Sequence, residues 1–374
     1  MFLSGTRADY GKIKSLIQAV EAADDFETFI YVSGMHLLEQ YGSTYEEIIN
    51  DGYKNIYVAY GYRNIGDMSY DLGTAICNLT GYVEKIKPDM IVVHGDRIDA
   101  LAGALVGVLK NIMVAHIEGG ELSGTVDESI RHTISKLAHV HFVCNKEAKN
   151  RLAQMGEQQE RIHILGSPDI DIMKSDRLPS LEKCKKKYNI GFDDYAIFMY
   201  HPVTTEFEQI PIQIKSVVDA LIESGNNYVI IYPNNDSGTD YILHELKRFN
   251  TGKVRKRVRI FPSIRFEYFL TLLKNASFMI GNSSAGVRET CVYGIPSIDI
   301  GSRQQGRYSL EIVRNIQHIE PVKEDILSAI RQVDNYRKAT SYYGDGKSTE
   351  RFMSILRGGL WNLPLQKKFI DIDF

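Results

Sequence analysis

The stretch MIVVHGDRIDALAGALVGVLKNIMVAHIEGGE, residues 90–121, decides the fold that we predict. Met90–His94 and Ile112–Ile117 are short apolar runs, and Ala100–Leu109 between them has the apolar spacing of a helix. Apolar runs that alternate with helical segments are typical of βαβ units, in which helices cover both faces of a parallel sheet. This stretch therefore predicts a doubly wound α/β fold.

The same alternation extends outward from this stretch in both directions. Before and after it lie three further predicted strands and two predicted helices: Thr28–Val32, Val140–Val143 and His163–Leu165, with Ile13–Ala23 and Ile130–Ala138. Beyond a charged linker at Ser175–Asn189, a second series of strands begins: Ala196–Tyr200, Tyr228–Tyr232, Val258–Phe261, Phe278–Ile280 and Ser297–Ile300.

A chain of 374 residues is long enough for two such domains. We predict an N-terminal Rossmann-like domain at 1–168, a C-terminal one at 169–348, and a C-terminal helix and tail at 349–374 that return to the first domain. A ligand site is expected in the cleft between the domains, outside the carboxyl ends of the strands.

Composition and charge limit the classes of partner. A net charge of −3 gives no general reason to bind nucleic acid or a membrane surface. The lysine-rich run at 183–187 is interpreted as part of a solvated helix rather than a nucleic-acid patch. Four dispersed cysteines without a CxxC pair, and the lack of a signal-peptide pattern, predict a reducing, cytoplasmic location.

Three carboxylates follow strands in the first half. Asp96 comes after the strand that ends at His94, Glu118 comes after the next one, and Asp127 stands at the start of a helix. Acid–base chemistry at a sugar carbon needs such a cluster, because crowded carboxyl groups push each other's pKa values apart. A plain helix cap is the alternative for Asp127.

A metal site competes for some of these residues. The possible ligands are His94, Asp96, His116, Glu118 and His132. None of these residues belongs to an HExxH or HxH motif, which disfavours the metal interpretation.

Several loops have the composition of an anion site. Arg7 and Lys12 flank the turn and helix start that follow the first strand, although an ordinary βα loop with incidental charge is the alternative. In the second half, the turn GNSSAGVRE at 281–289 suits a diphosphate, and its Glu289, one turn into a helix, suits a ribose diol. A simple capped helix is the alternative there.

GSRQQGR at 301–307 suits a mobile phosphate clamp, and His201 follows a strand as either a phosphate contact or a structural histidine.

Six motifs resemble those of the UDP-N-acetylglucosamine 2-epimerases, which have a two-domain fold of the GT-B type. They are GTRADYGK at 5–12, HGDR at 94–97, HIEGGELSGTVDESIRH at 116–132, HPVTT at 201–205, GNSSAGVRE at 281–289 and GSRQQGR at 301–307. The resemblance covers essentially the whole chain. The segment 116–132 is similar to the hydrolysing branch, which makes N-acetylmannosamine and free UDP for sialic acid synthesis.

The resemblance implies roles for individual residues. It makes Asp96, Glu118 and Asp127 the catalytic acids. It places nine residues around UDP: Arg7, Lys12, Arg97, His201, Asn234, Ser283, Ser284, Glu289 and Arg303. It implies no metal and no nicotinamide cofactor. We expect a homo-oligomer, a dimer or a tetramer, with UDP-N-acetylglucosamine as its partner and neither nucleic acid nor membrane.

Four other functions stay open at this point. They are a non-hydrolysing 2-epimerase, a hydrolysing enzyme for a 2,4-diacetamido-trideoxy sugar nucleotide, a GT-B glycosyltransferase, and a regulatory module that binds a nucleotide sugar without turnover.

Overall fold

The computed structural model describes residues 1–61, 67–123, 126–252 and 254–371. The chain divides into two units, one formed by Met1–Glu121, Asp127–Ser175 and Tyr343–Phe374, the other by Leu122–Val126 and Asp176–Tyr342. Residues 169–175 and 343–348, which the sequence assigned to the second domain, belong to the first unit. Residues 343–348 are held to the first unit by a backbone hydrogen bond, in which the N–H of Ser167 donates to the carbonyl of Tyr343 at 2.7 Å.

The first unit contains a seven-stranded sheet in the order β3-β2-β1-β4-β5-β6-β7. Its strands are β1 (Phe2–Ser4), β2 (Ile30–Val32), β3 (Ile56–Val58), β4 (Met90–His94), β5 (Met113–Ile117), β6 (Val140–Val143) and β7 (Ile162–Ile164). Its helices are α1 (Arg7–Glu21), α2 (Tyr45–Asn50), α3 (Met68–Ile86), α4 (Ile98–Leu109), α5 (Val126–Leu137), α6 (Lys146–Gln154), α7 (Asp169–Met173) and α14 (Ser348–Leu356).

The second unit contains a six-stranded sheet in the order β10-β9-β8-β11-β12-β13. Its strands are β8 (Ala196–Met199), β9 (Tyr228–Ile231), β10 (Val258–Phe261), β11 (Met279–Gly281), β12 (Ser297–Ile300) and β13 (Ile316–Ile319). Its helices are α8 (Leu181–Lys187), α9 (Ile210–Ser224), α10 (Thr239–Leu246), α11 (Phe266–Lys274), α12 (Glu289–Tyr293) and α13 (Lys323–Arg331).

Every strand pairing in both sheets is parallel, which confirms the predicted pair of doubly wound α/β domains. The first sheet is covered on both faces by apolar side chains that pack against helices. Its strand order reverses direction between β1 and β4, and that of the second sheet between β8 and β11. Ligand sites of doubly wound sheets lie at the carboxyl ends of the strands on either side of such a reversal.

The C-terminal helix α14 packs in the first unit. The ring of Phe352 lies 4.9 Å from the ring of Phe142 and 6.4 Å from that of Phe2, measured between centroids. The guanidinium of Arg357 pairs with Asp25 at 2.8 Å just beyond the helix. In the described part of the chain, no helix combines the length and the apolar character that crossing a bilayer requires.

Candidate active site

Glu118 is the centre of a buried polar cluster in the first unit. It follows β5 with a backbone φ of 66°, a left-handed conformation that is rare for a residue other than glycine. Its Oε1 lies 3.3 Å from Nε2 of His94, 3.6 Å from Nζ of Lys12 and 3.5 Å from the hydroxyl of Ser167. The imidazole of His94, the ammonium of Lys12 and the hydroxyl of Ser167 therefore surround one carboxylate oxygen.

The imidazole of His94 lies between two carboxylates. Its Nδ1 is 3.6 Å from Oδ1 of Asp9, and its Nε2 faces Glu118. Burial lowers the pKa of His94, but the charges of Glu118 and Asp9 outweigh burial and raise the pKa to about 9. His94 is therefore an imidazolium at neutral pH and adds a positive charge beside Glu118.

Lys12 belongs to this same cluster. Its Nζ lies 3.5 Å from Oδ2 of Asp169, in addition to its contact with Glu118. Lys12 is buried in the first turns of α1, whose preceding residue Thr6 caps the helix by accepting from the N–H of Asp9 at 3.1 Å. Lys12, predicted to lie near UDP, thus contacts the carboxylate that is predicted to be catalytic.

Asp96 is joined to this region through Arg131. The guanidinium of Arg131 contacts the carboxylate of Asp96 and also donates to the backbone carbonyl of Glu118 at 2.9 Å. Arg131 is buried on α5, and Asp127 lies four residues earlier on the same helix, hence on the same face. Asp127 is the second residue of α5, so the interpretation as a residue that precedes and caps the helix does not apply.

His116 has a structural role. Its Nε2 contacts the carbonyl of Gly95 at 2.8 Å and its Nδ1 contacts the hydroxyl of Ser135 at 3.1 Å. Burial lowers the pKa of His116 to about 3, so the ring is neutral and donates from Nε2 to the Gly95 carbonyl. His116 thereby holds the turn that precedes Asp96.

The competing metal interpretation receives no support from the geometry. Within the described ranges, no group of three His, Cys, Asp or Glu side chains is placed to hold a metal ion. His132, one of the possible ligands, contacts Glu128 on its own helix at 3.7 Å.

The other two cations of the first unit that we predicted to bind UDP, Arg7 and Arg97, follow strands. Arg7, the first residue of α1, pairs through Nε with Oε2 of the buried Glu47 at 3.1 Å. Arg97 follows β4 and is the residue that precedes α4. Both stand beside the reversal of the strand order between β1 and β4.

In the second unit, His201 and Asn234 follow neighbouring strands and contact each other. Nδ1 of His201 accepts the backbone N–H of Asn234 at 3.0 Å. Arg303 follows β12, and its guanidinium lies 3.4 Å from the carbonyl of Asn282. These three predicted nucleotide contacts thus converge at the carboxyl ends of β8, β9 and β12.

The GNSSAGVRE segment forms a tight turn after β11. Gly281 has a φ of 133°, and a Cβ there would lie 1.9 Å from the carbonyl oxygen of Met199, so the position requires glycine. Ser283 precedes the short 3-10 turn Ser284–Gly286, and its hydroxyl accepts from the N–H of Ala285 at 3.4 Å. Glu289 is the first residue of α12 and not, as predicted, one turn inside a helix, because the 3-10 turn is separate from α12.

Sequence reasoning left several residues out of the predicted site. Asp9, His94, Arg131 and Asp169 contact the predicted acids or their partners, and Asn282 and Gln304 support the nucleotide loops. The position of Asn282 directly after β11 is a signal that could have identified it, and Asp9 and Asp169 lie in the first turns of helices that follow strands. Arg131 carries no such signal, because it lies inside α5 and its partner Asp96 is 35 residues away in the sequence.

Comparison with known proteins identifies the family of the chain. The model of the UDP-N-acetylglucosamine 2-epimerase family matches residues 18–357. The chain belongs to this family.

Relatives of this family member cover nearly its whole length. It is 47% identical to the UDP-N-acetylglucosamine 2-epimerase of Neisseria meningitidis, over 99% of this chain and 98% of the relative. It is 32% identical to a protein of Legionella pneumophila named UDP-N,N'-diacetylbacillosamine 2-epimerase (hydrolyzing), over 99% of this chain and 97% of that relative.

Solved structures share the fold of this epimerase family member. A Neisseria meningitidis UDP-GlcNAc 2-epimerase bound to UDP-GlcNAc has a TM-score of 0.78 at 18% identity, covering 95% of this chain and 98% of that one. Staphylococcus aureus MnaA, solved with UDP, has a TM-score of 0.75 at 21% identity, covering 99% of each chain. The two neighbours support the GT-B type of fold predicted from the sequence.

Proposed function

We propose that the chain is a hydrolysing UDP-N-acetylglucosamine 2-epimerase, which converts UDP-N-acetylglucosamine and water to N-acetylmannosamine and UDP. The observation that carries the proposal is the buried cluster around Glu118, where His94 and Lys12 supply positive charge next to a carboxylate. A proton abstraction from a carbon that is not acidic needs a carboxylate held in position at a reacting centre.

The reaction proceeds by elimination followed by hydration. A carboxylate of the first unit removes the hydrogen from carbon 2, and the bond between carbon 1 and the phosphate oxygen breaks with its electrons leaving on UDP. The product of this step is 2-acetamidoglucal. Water then adds its oxygen to carbon 1, and carbon 2 takes a proton on the opposite face, which gives N-acetylmannosamine.

In this reaction the three predicted acids transfer protons, and the neighbouring cations bind and orient. Asp96, Glu118 and Asp127 are the proton-transfer groups, with Arg131 orienting Asp96 and the backbone of Glu118. Nine side chains bind UDP in the proposal: Arg7, Lys12, Arg97, His201, Asn234, Ser283, Ser284, Glu289 and Arg303. Cations and N–H donors that face the diphosphate stabilise the charge that develops as UDP departs.

The names of relatives support the hydrolysing outcome. The two relatives between 31% and 32% identical, from Legionella and from Campylobacter jejuni, are both named as hydrolyzing. A relative of 29% identity from Escherichia coli is named a polysialic acid biosynthesis protein. We therefore propose that the N-acetylmannosamine made here serves sialic acid synthesis.

Proton NMR of the purified protein with UDP-N-acetylglucosamine as the sole substrate tests the proposal. We expect the signals of free N-acetylmannosamine and UDP to grow together. Accumulation of UDP-N-acetylmannosamine would show a non-hydrolysing epimerase instead, and the absence of turnover would refute the proposal. Because two relatives are named for diacetylbacillosamine, UDP-N,N'-diacetylbacillosamine is the second substrate to test, and faster turnover of it would reassign the sugar.

A further inference from the structure

A network of hydrogen bonds links four loops of the second unit. Each loop follows a strand, and each is bonded to the loop that follows the neighbouring strand. The loops come after β9, β8, β11 and β12, which are neighbours in the sheet. The N–H of Asn234 donates to the His201 ring, the backbone of His201 pairs with the side chain of Asn282, and the carbonyl of Asn282 accepts from Gln304. The loops that carry most of the proposed nucleotide contacts are therefore joined to one another through Asn282.

Asn282 is the centre of this hydrogen-bond network. Its Oδ1 accepts the backbone N–H of His201 at 2.6 Å, and its Nδ2 donates to the His201 carbonyl at 2.8 Å. The side chain is completely buried. A buried amide that satisfies both backbone groups of one residue fixes that residue's orientation, because shifting it would leave buried polar groups unpaired.

The ring of His201 is constrained as well. A backbone N–H can only donate, so Nδ1 of His201 must be the unprotonated nitrogen while it accepts from Asn234. In the neutral ring the hydrogen is then on Nε2. This tautomer presents an N–H donor, which is the group that a phosphate oxygen needs.

The carbonyl of Asn282 holds the loop that follows β12. It accepts from Nε2 of Gln304 at 2.8 Å and from the guanidinium of Arg303 at 3.4 Å. Gln304 is also completely buried, and its Oε1 accepts from Arg307 at 3.3 Å. The loop that the sequence predicted to be a mobile clamp is thus anchored through Gln304.

We propose that Asn282 is a positioning residue for the nucleotide site, and that it aligns the His201 loop with the Arg303–Arg307 loop before a ligand binds. This inference rests on the proposed function, since it takes UDP as the ligand of these loops. Asn282 need not touch the nucleotide, because it acts through His201, Arg303 and Gln304. Preset donors bind a diphosphate more tightly than donors that must first be ordered.

Two variants each remove one part of this hydrogen-bond network, on either side of the backbone carbonyl of Asn282. Asn282→Ala removes the amide that holds His201, and we expect UDP to bind about tenfold more weakly or worse. Nitrogen-15 NMR at pH 8 should show His201 as the single Nε2–H tautomer in the wild type and as a mixture of tautomers in this variant. Gln304→Met removes the stronger of the two hydrogen bonds that hold the Arg303 loop and leaves the Asn282 side chain in place, so we expect weaker UDP binding with the His201 tautomer unchanged.

Asn315 offers a matched control in the same sheet. It is also a completely buried asparagine, and its Nδ2 donates to Oγ1 of Thr290 at 3.1 Å and to the carbonyl of Ile295 at 2.8 Å. It directly precedes β13 and lies at the opposite, amino ends of the strands. Asn315→Ala should lower stability while UDP affinity and the His201 tautomer stay as in the wild type.

The outcomes separate this inference from the proposed function. Wild-type UDP affinity and an unchanged tautomer in Asn282→Ala would overturn it, and so would an equal loss of affinity in Asn315→Ala. If Asn282→Ala does not fold, unchanged UDP affinity in Gln304→Met overturns it. If the wild type does not bind UDP, the proposed function fails, and the tautomers of Asn282→Ala and Asn315→Ala still decide whether Asn282 positions His201.

Discussion

Glu118 combines an unusual backbone conformation with a crowded side chain. A left-handed φ at a residue with a Cβ costs free energy, and such conformations concentrate at functional sites. The backbone is held there by two hydrogen bonds, one from its N–H to the carbonyl of Phe142 at 3.0 Å and one from Arg131 to its carbonyl. The side chain is thereby directed at His94 and Lys12 and not into the next turn of chain.

At the residue scale, the first prediction concerns the three carboxylates. Asp96→Asn, Glu118→Gln and Asp127→Asn should each lower kcat by about 10²-fold or more, because each removes a group that transfers or orients a proton. Glu128→Gln is the matched control, since Glu128 lies next to Asp127 on α5 and pairs with His132 on the same helix. Steady-state rates at saturating substrate, with circular dichroism to verify folding, measure the effect. Retention of wild-type kcat by Glu118→Gln would remove it from the proposed mechanism.

The second prediction follows from the raised pKa of His94, which is about 9. An unfolded histidine has a pKa of about 6.5, so the folded protein binds this proton more tightly. The stabilisation is complete below about pH 6.5 and is lost as the pH rises through about 9. We expect roughly 3 kcal/mol of unfolding free energy to be lost over this interval.

Urea titrations at pH 6.5 and pH 9.5 measure that loss. His94→Gln should lack it, whereas His244→Gln, at an exposed histidine of α10, should show the wild-type loss. The same pH dependence in His94→Gln would assign the titration to another group.

The candidate site could be predicted from the sequence only where a residue stands next to a strand end. Asp96 and Glu118 follow β4 and β5, which pair in parallel, so their proximity follows from topology alone. The partners of these acids could not be predicted in this way. Arg131 reaches Asp96 across 35 residues, and Lys12 reaches Asp169 across 157, and such pairings depend on the packing of complete elements.

At the scale of elements, several strands were predicted with their observed bounds, and two of the four edge strands were missed. Met90–His94, Val140–Val143, Val258–Phe261 and Ser297–Ile300 were predicted with the bounds that the structure shows. The strands β3 and β13 were missed, and each lies at one edge of its sheet. The sequence of β13, IQHI, lacks the continuous apolar run that identifies a buried strand, and β3 is only three residues long.

The third prediction contrasts two glycines in regular elements. Gly73 lies in α3 with open space where a Cβ would be, so Gly73→Ala should raise the unfolding free energy by about 0.5–1 kcal/mol through helix propensity. Gly281→Ala should prevent folding of the second unit, because its Cβ would overlap the backbone of Met199. Thermal and urea unfolding of both variants test this contrast. A stable Gly281→Ala would show that the turn after β11 is less tight than described.

At the scale of the whole molecule, the two units carry different kinds of group. The first unit holds the buried carboxylates with His94 and Lys12 among them, together with Arg7 and Arg97, and the second holds neutral donors and the Arg303–Arg307 loop. Carboxylates repel a diphosphate and suit proton transfer, while serine, asparagine, histidine and arginine donors suit phosphate binding.

The last prediction tests whether bond cleavage and proton transfer occur as the proposed function requires. In heavy water, the N-acetylmannosamine should carry deuterium at carbon 2, because the proton that the carboxylates return exchanges with solvent. In water labelled with oxygen-18, UDP should acquire no label, because the bond between carbon 1 and oxygen breaks and the phosphate keeps its own oxygen. Mutarotation also labels carbon 1 of the free sugar, so UDP is the cleaner reporter. Mass spectrometry of both products after a single turnover gives the two results together. Attack of water on phosphorus would instead label UDP and leave the original hydrogen at carbon 2, which would remove Asp96, Glu118 and Asp127 from their proposed roles.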